Sequence, residues 1–325
     1  MTNLLRAEWI RFRRRRAIQA IVVIVLLLIS VQFLAGALST PEPAPFDEAA
    51  VRAELIAQGY GAGLPPDEAE RLIAQGVEAE RQGHAIEVGV AKIARAAYAF
   101  PRSLLTVLGS ASLVLLAMIL LTATTIGDDF GWGTIRTTLL ANSRRSRVLL
   151  ARIIVLAATG IVLFAIVLLL GALLPLLVGP RDVNGLPAVD WLGIVTLLVG
   201  LLAAMAAVIA FSALATVIVR SGGLTLVAAP VYLVLEAAVL SVLVRVPVLQ
   251  PGHEGAWLLD GFPVHGLVTL TEVAARAASG LGHFPGDVVD RSLGPVAVPI
   301  VALAAWAGVF ALLAFKRFGR MDIAE

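Results

Sequence analysis

Long apolar runs dominate the chain, and six of them reach the length that a membrane-spanning helix needs. About 20 apolar residues in helical form cross the hydrocarbon core of a bilayer, which is about 30 Å thick. The six runs are 17–38, 103–126, 148–178, 191–219, 224–246 and 295–315. Because they are continuous and lack the alternation of a barrel strand, they predict helices. The expected fold class is an all-α membrane protein with six transmembrane helices.

The composition supports a lipid environment. The chain is 59% hydrophobic and 15% charged, whereas soluble domains have about 45–50% apolar and about 25% charged residues. The absence of cysteine excludes disulfides, iron–sulfur clusters and cysteine-based zinc sites. The four histidines lie in separate stretches, so no metal site is expected.

The basic residues predict the orientation. With the N-terminus in the cytoplasm, the inner segments 1–16, 127–147, 220–223 and 316–325 carry 14 basic residues among 51 positions. The outer segments 39–102, 179–190 and 247–294 carry 9 among 124. Because basic residues concentrate in cytoplasmic loops, both termini are expected to be cytoplasmic, in a multi-pass protein of the plasma (inner) membrane. The first run is too long for a signal peptide and is taken as a retained helix.

Three segments outside the spans have recognisable patterns. Residues 1–16 predict an interfacial helix with Leu5, Trp9 and Phe12 on one face and arginines around it. Segment 247–294 is broken by proline and glycine, which favours re-entrant or interfacial pieces before the last span.

The third segment, 39–102, predicts an extracytoplasmic helical insertion between spans one and two. A glycine-rich turn at 59–66 divides it. Asp67, with Glu70 three residues later, resembles a capping box and predicts a helix to about Tyr98. Its apolar stripe could pack on the outer mouth of the bundle or on a second copy, or the segment could be a solvated hairpin. The stripe comprises Leu72, Ile73, Val77, Ile86, Val90, Ile93 and Ala97.

The segment 127–147, between spans two and three, contains the most informative motif. An acidic pair, Asp128 and Asp129, is followed by Trp132-Gly133-Thr134, then by Arg136, Leu139-Leu140 and a basic cluster. Glycine permits a sharp change of direction, and threonine can cap a short helix. Tryptophan and arginine are common anchors of protein interfaces. One interpretation is therefore a loop that docks on another protein, and the other is a membrane-surface loop.

This segment resembles a loop of the ABC-2-type permeases, in which an acidic residue precedes an aromatic, a Gly-Thr pair, a leucine-rich turn and basic residues. Asp129, Trp132-Gly133-Thr134 and Leu139-Leu140 match it, as do Arg144 or Arg147 together with Arg152. Asn142-Ser143 stands where a proline is frequent in that family. Six spans, an N-terminal interfacial helix and a broken outer segment before span six are also similar, so the resemblance covers the whole chain.

The resemblance implies a permease dimer, acting as an exporter and moved by two cytoplasmic ABC ATPase subunits. The ATPase-coupling residues would be Asp128, Asp129, Trp132, Gly133, Thr134 and Arg136. ATP and magnesium would be bound by the partner ATPase, and this chain would be neither an enzyme nor a cofactor protein. Consistent with that division, no G-x-x-x-x-G-K-[ST] phosphate-binding loop occurs in the sequence.

Glu236, in the middle of the fifth run, supports other hypotheses. An ionisable residue at bilayer depth indicates a functional site, and Glu236 could contact a cationic substrate, carry a proton or bond to a neighbouring helix. A secondary transporter or channel using Glu236 is therefore an alternative, and a non-transporting scaffold or immunity protein is another. Nucleic-acid binding is not expected, because the N-terminal arginines adjoin a membrane span. The sequence does not specify a substrate.

Overall fold

The computed structural model describes residues 2–40, 42, 44–131, 145–178, 191–243, 245, 259, 261–270 and 294–320. Within these ranges the regular structure is helical, without strands. The helices are α1 (Thr2–Arg14), α2 (Arg16–Ser39), α3 (Glu48–Ala57), α4 (Pro66–Ala96), α5 (Ser103–Gly109), α6 (Ala111–Thr122), α7 (Asp128–Gly131), α8 (Arg145–Leu173), α9 (Pro175–Val178), α10 (Trp191–Val219), α11 (Gly222–Leu243), α12 (263–270) and α13 (Gly294–Gly319). A π-helical turn, Ala123–Gly127, joins α6 to α7.

Five helical stretches of the described chain are long and apolar enough to cross a membrane. They are Arg16–Ser39, Ala111–Phe130, Arg145–Val178, Trp191–Val219 and Ala297–Gly319. The predicted fifth span corresponds to α11. Within α11, Val234–Leu243 is an apolar helical stretch that is shorter than a membrane span requires. The all-helical, multi-pass architecture is thus confirmed, and the count of six spans stays a prediction.

Helix α10 lies at the centre of the bundle and packs against α6, α8, α11 and α13. Small residues allow this close packing. A β-carbon added to Gly200 would lie 2.9 Å from a methyl group of Leu270 in α12. Gly200 therefore permits a close helix contact within this chain.

The second predicted span is not one continuous helix. Helix α5 ends at Gly109 and α6 begins at Ala111, on either side of Ser110. The Ser110 hydroxyl hydrogen-bonds to Oε1 of Gln32 in α2, at 3.2 Å. At its other end the helical path continues to Gly131, beyond the predicted limit at residue 126. The segment 127–147 is therefore helical at both of its described ends.

The outer segment forms a helical hairpin of α3 and α4. Asp47 caps α3 by accepting hydrogen bonds from the backbone amides of Ala49 and Ala50, both at 3.0 Å. The prediction that Asp67 caps α4 is wrong, because the helix already begins at Pro66, with Pro65 as its N-cap. Proline is favoured in the first helical turn, where its missing N–H costs nothing.

Only part of the predicted apolar stripe on α4 is covered. Ile73 and Val77 are buried against Leu55 of α3. Ile86 and Val90, two turns later, are 69% and 52% exposed. The apolar contact of the hairpin therefore lies near its turn, whereas Ile86 and Val90 stay exposed and Ile93 and Ala97 are partly buried.

The N-terminal helix α1 packs on α8, and its position at the membrane interface stays a prediction. Its buried residues are Glu8 and Phe12, whereas Trp9 is 43% exposed. The face that packs on the protein thus shares Phe12 with the predicted apolar face and includes a carboxylate.

Of the predicted broken segment 247–294, the structure describes α12 over 263–270, three residues before it (259, 261 and 262) and the first residue of α13. The remainder of that prediction lies outside the described residues.

Candidate functional site

The structure places the predicted coupling residues in two groups. Asp128 and Asp129 belong to the single-turn helix α7. The other four, Trp132, Gly133, Thr134 and Arg136, lie outside the described residues, so their roles stay predictions. The described part of the site is therefore the base of the segment 132–144, where α7 leads into it and α8 leads out of it.

Asp129 is buried and surrounded by arginines. Its side chain is 4% exposed and forms an ion pair with Nη2 of Arg152 in α8, whose side chain is 2% exposed. Its Oδ1 accepts from Nη2 of Arg15 at 3.1 Å, and its Oδ2 lies 3.4 Å from Nη1 of Arg11. Arginine suits such a position because its planar group donates several hydrogen bonds at once.

Two further carboxylates complete this charge cluster. Oε1 of Glu8 lies 3.7 Å from Nε of Arg152 and 3.7 Å from Nη1 of Arg11. Oδ2 of Asp128 lies 3.5 Å from Nη1 of Arg15. We call these six residues the base cluster: Glu8, Arg11, Arg15, Asp128, Asp129 and Arg152.

The base cluster connects three parts of the chain that are distant in sequence. Glu8 and Arg11 lie in α1, Arg15 lies between α1 and α2, and Arg152 lies two turns into α8. Removing one member of a buried ion pair costs about 3–5 kcal/mol, because the remaining charge is left without compensation. The cluster therefore fixes α7 and α8 to each other and to the N-terminal helix.

The π-helical turn before α7 provides another attachment. Nη1 of Arg15 donates to the carbonyl oxygen of Thr124 at 2.6 Å. A π turn widens the helix and often occurs at functional sites. The same arginine thus binds the backbone of the turn and the two carboxylates that follow it.

Gly127 and Gly222 allow the π turn that follows α6 to contact the start of α11. A β-carbon on Gly127 would lie 2.7 Å from the amide nitrogen of Gly222, and one on Gly222 would lie 3.0 Å from the carbonyl oxygen of Ala123. Arg220, with a φ of 57°, forms the tight connection between α10 and α11. The end of the π turn is therefore in backbone contact with the start of α11.

Glu236 lies away from the base cluster and is 4% exposed. Its Oε1 accepts hydrogen bonds from the backbone amides of Val264 and His265, at 2.7 and 3.0 Å. Glu236 therefore binds the N-terminal turn of α12, which holds that short helix against α11. Among the three possibilities drawn from the sequence, a bond to a neighbouring helix is present.

Sequence reasoning identified Asp129 and Arg152 through the family pattern, but it missed Glu8, Arg11 and Arg15 as their partners. The available signal was the spacing of Glu8 and Phe12, which places an acidic residue on an apolar face of α1. The arginines gave no such signal, because the N-terminal segment contains six of them and lipid headgroups would account for all.

Comparison with known proteins identifies a family. The model of the family described as "ABC-2 family transporter protein" matches residues 2–323. No curated protein and no solved structure is significantly similar to the chain. The match covers almost the whole sequence and agrees with the multi-pass helical architecture, so this chain is a membrane protein that belongs to the ABC-2 transporter family.

Proposed function

We propose that this chain is the membrane-spanning permease of an ATP-driven exporter, and that its ATPase is a separate cytoplasmic subunit. Membership of the ABC-2 family supports a role in transport. The sequence has no phosphate-binding loop, which supports an ATPase on another polypeptide. ATP and magnesium bind to that partner, and a second permease, identical or related, completes the transporter in the plasma membrane.

The observation that carries this proposal is the base cluster. It lies where the chain leaves α7 and returns in α8, on either side of the segment proposed to dock on the ATPase. Asp129 and Arg152 are both buried, and their ion pair joins these two ends. A displacement of the docked segment would therefore move α6 and α8 together, because the ion pair holds both ends of the segment in a fixed relation.

The N-terminal helix extends this transmission. Glu8, Arg11 and Arg15 connect α1 and the start of α2 to the same pair. The backbone contact between Gly127 and Gly222 adds α11. Movement at the docking segment would thus reach five helices, α1, α2, α6, α8 and α11, as expected of a permease driven by an ATPase.

Purification of the tagged chain from its native membrane in mild detergent tests the proposal. We expect a soluble ATPase with a phosphate-binding loop to co-purify, and the double variant Gly133→Glu/Thr134→Glu to lose it. Gly83→Glu/Gly89→Glu, which adds the same two charges at open positions of the outer hairpin, should retain it.

The double variant Asp129→Asn/Arg152→Gln distinguishes binding of the ATPase from transfer of its movement to the membrane helices. It should bind the ATPase at wild-type levels but lose at least about tenfold of ATP-dependent transport. Purification of the wild-type chain without an ATPase, together with transport driven by an ion gradient, would contradict the proposal and support the secondary transporter that uses Glu236.

A further inference from the structure

Glu236 has one carboxylate oxygen that its structural role does not use. Oε1 is occupied by the backbone amides of Val264 and His265. Oε2 is also buried, and it has no hydrogen-bond partner within the part of the chain that the structure describes. A buried charged oxygen without a partner is costly.

Aromatic side chains lie beside this oxygen. The phenol of Tyr232, one turn before Glu236 on α11, lies within hydrogen-bonding reach of the carboxylate. The ring centroid of Phe211 in α10 lies 4.9 Å from that of Tyr232, and Phe310 in α13 lies 5.4 Å from Phe211. Trp306 stacks on Phe310 at 5.2 Å. Four rings from three helices thus form a continuous series.

The series returns to the segment that Glu236 holds. Nε1 of Trp306 donates to the carbonyl oxygen of Gly261 at 2.9 Å, three residues before Val264. The carboxylate and the aromatic series therefore border the same region. The four aromatic residues are partly exposed, unlike the fully covered residues of the core.

We propose that Glu236 and these aromatic side chains form a subsite for an organic cation, such as an ammonium group with apolar substituents. The carboxylate supplies the opposite charge, and the faces of Tyr232 and Trp306 attract a cation through their negative π-electron density. An anion is disfavoured by the carboxylate. A divalent metal ion is also disfavoured, because the described residues contain no group of three or more acidic, histidine or cysteine side chains placed to hold one.

This subsite deepens the proposed transport function, since it names a substrate class, but its binding test requires no ATPase. The ammonium group could belong to a free organic cation or to a lipid headgroup. In the first arm, equilibrium binding of tetraphenylphosphonium to the purified chain is compared with that of triphenylphosphine oxide, which is uncharged. In the second, thermal stabilisation by phosphatidylethanolamine is compared with that by phosphatidylglycerol carrying the same acyl chains.

Glu236→Gln is the decisive variant, because the amide oxygen can still accept from Val264 and His265 while the charge is lost. We expect it to weaken binding of the cation by at least about tenfold and to leave the uncharged compound unaffected. Trp306→Leu should weaken binding of the cation more than Trp306→Phe does, because phenylalanine keeps an aromatic face. Size-exclusion chromatography and circular dichroism identify variants that fail to fold.

The two arms separate the sources. A response to tetraphenylphosphonium that Glu236→Gln abolishes indicates a free cation, and a charge-dependent response to phosphatidylethanolamine indicates a lipid. No wild-type response in either arm, or an equal response in Glu236→Gln, would overturn the subsite. The result is independent of ATPase co-purification, so either proposal can fail without the other.

Discussion

Gly127 and Gly222 touch backbone to backbone, because a β-carbon on Gly127 would lie only 2.7 Å from the amide nitrogen of Gly222. The contact joins the end of the π turn to the start of α11. Backbone atoms cannot move aside as a flexible side chain can, so any side chain at residue 127 must separate the two helices.

We therefore expect Gly127→Ala to lower the free energy of unfolding by about 1–3 kcal/mol, the usual cost of overpacking. Gly223→Ala is the matched control, because a β-carbon there meets no atom within 4 Å. It should be neutral or stabilise α11 by up to about 1 kcal/mol. Thermal unfolding in detergent measures both, and equal effects of the two variants would contradict the close contact.

Asp129 and Asp128 should differ strongly in their contributions to stability. Asp129→Asn leaves the buried Arg152 with only the longer ion pair to Glu8 at 3.7 Å, and we expect a loss of about 3–5 kcal/mol. Asp128 has a side chain that is 45% exposed and a single ion pair at 3.5 Å, so Asp128→Asn should cost less than about 1 kcal/mol.

A double variant tests whether Asp129 and Arg152 act as a pair. Asp129→Asn/Arg152→Gln should be less destabilised than the sum of its two single variants, because neither side chain then leaves an unpaired charge. Thermal unfolding of all three proteins gives the coupling. Strict additivity would show that the two residues contribute independently.

The helices of this protein follow from its sequence, because each span must satisfy its backbone within an apolar run. Local deviations were less predictable. At the interruption between α5 and α6, Ser110 bonds to Gln32 in α2. Helix α4 begins at Pro66, because proline is favoured in the first helical turn and Asp67 then lies inside the helix. Both outcomes depend on a neighbouring group that periodicity does not include.

The candidate site was predicted only in part for a similar reason. The family pattern singled out Asp129 and Arg152, but the approach of α1, which brings Glu8 and Arg15 to them, is a tertiary contact across more than 100 residues. Glu236 was noticeable as a charge in an apolar run. Its partners are backbone amides of α12, and backbone groups carry no sequence signal.

The outer hairpin should be stabilised by its small apolar contact and hardly by its surface ion pairs. Leu55→Ala removes the residue that covers Ile73 and Val77, and we expect faster proteolysis of α3 and α4 in the full-length protein, equivalent to a loss of about 2 kcal/mol. Arg52 and Glu70 pair at 2.6 Å with side chains 44% and 57% exposed. Glu70→Gln should therefore have little effect, and comparable proteolysis of both variants would contradict this assignment.

The orientation can be measured directly because the chain contains no cysteine. Gly83→Cys and Gly319→Cys place a thiol at positions where a β-carbon meets no neighbour within 4 Å. Since basic residues favour the cytoplasmic side, an impermeant maleimide should label Gly83→Cys in intact cells and Gly319→Cys only after permeabilisation. The opposite pattern would invert the proposed topology.

The base cluster contains three arginines and three carboxylates, so its formal charges cancel. A single charge moved across the full membrane voltage exchanges about 2.3 kcal/mol with the field per 100 mV. A neutral group that moves as one unit exchanges almost nothing. Although its six residues are all ionisable, the voltage across the membrane thus exerts almost no net force on the cluster, and a motion that begins there neither works against the resting potential nor is driven by it.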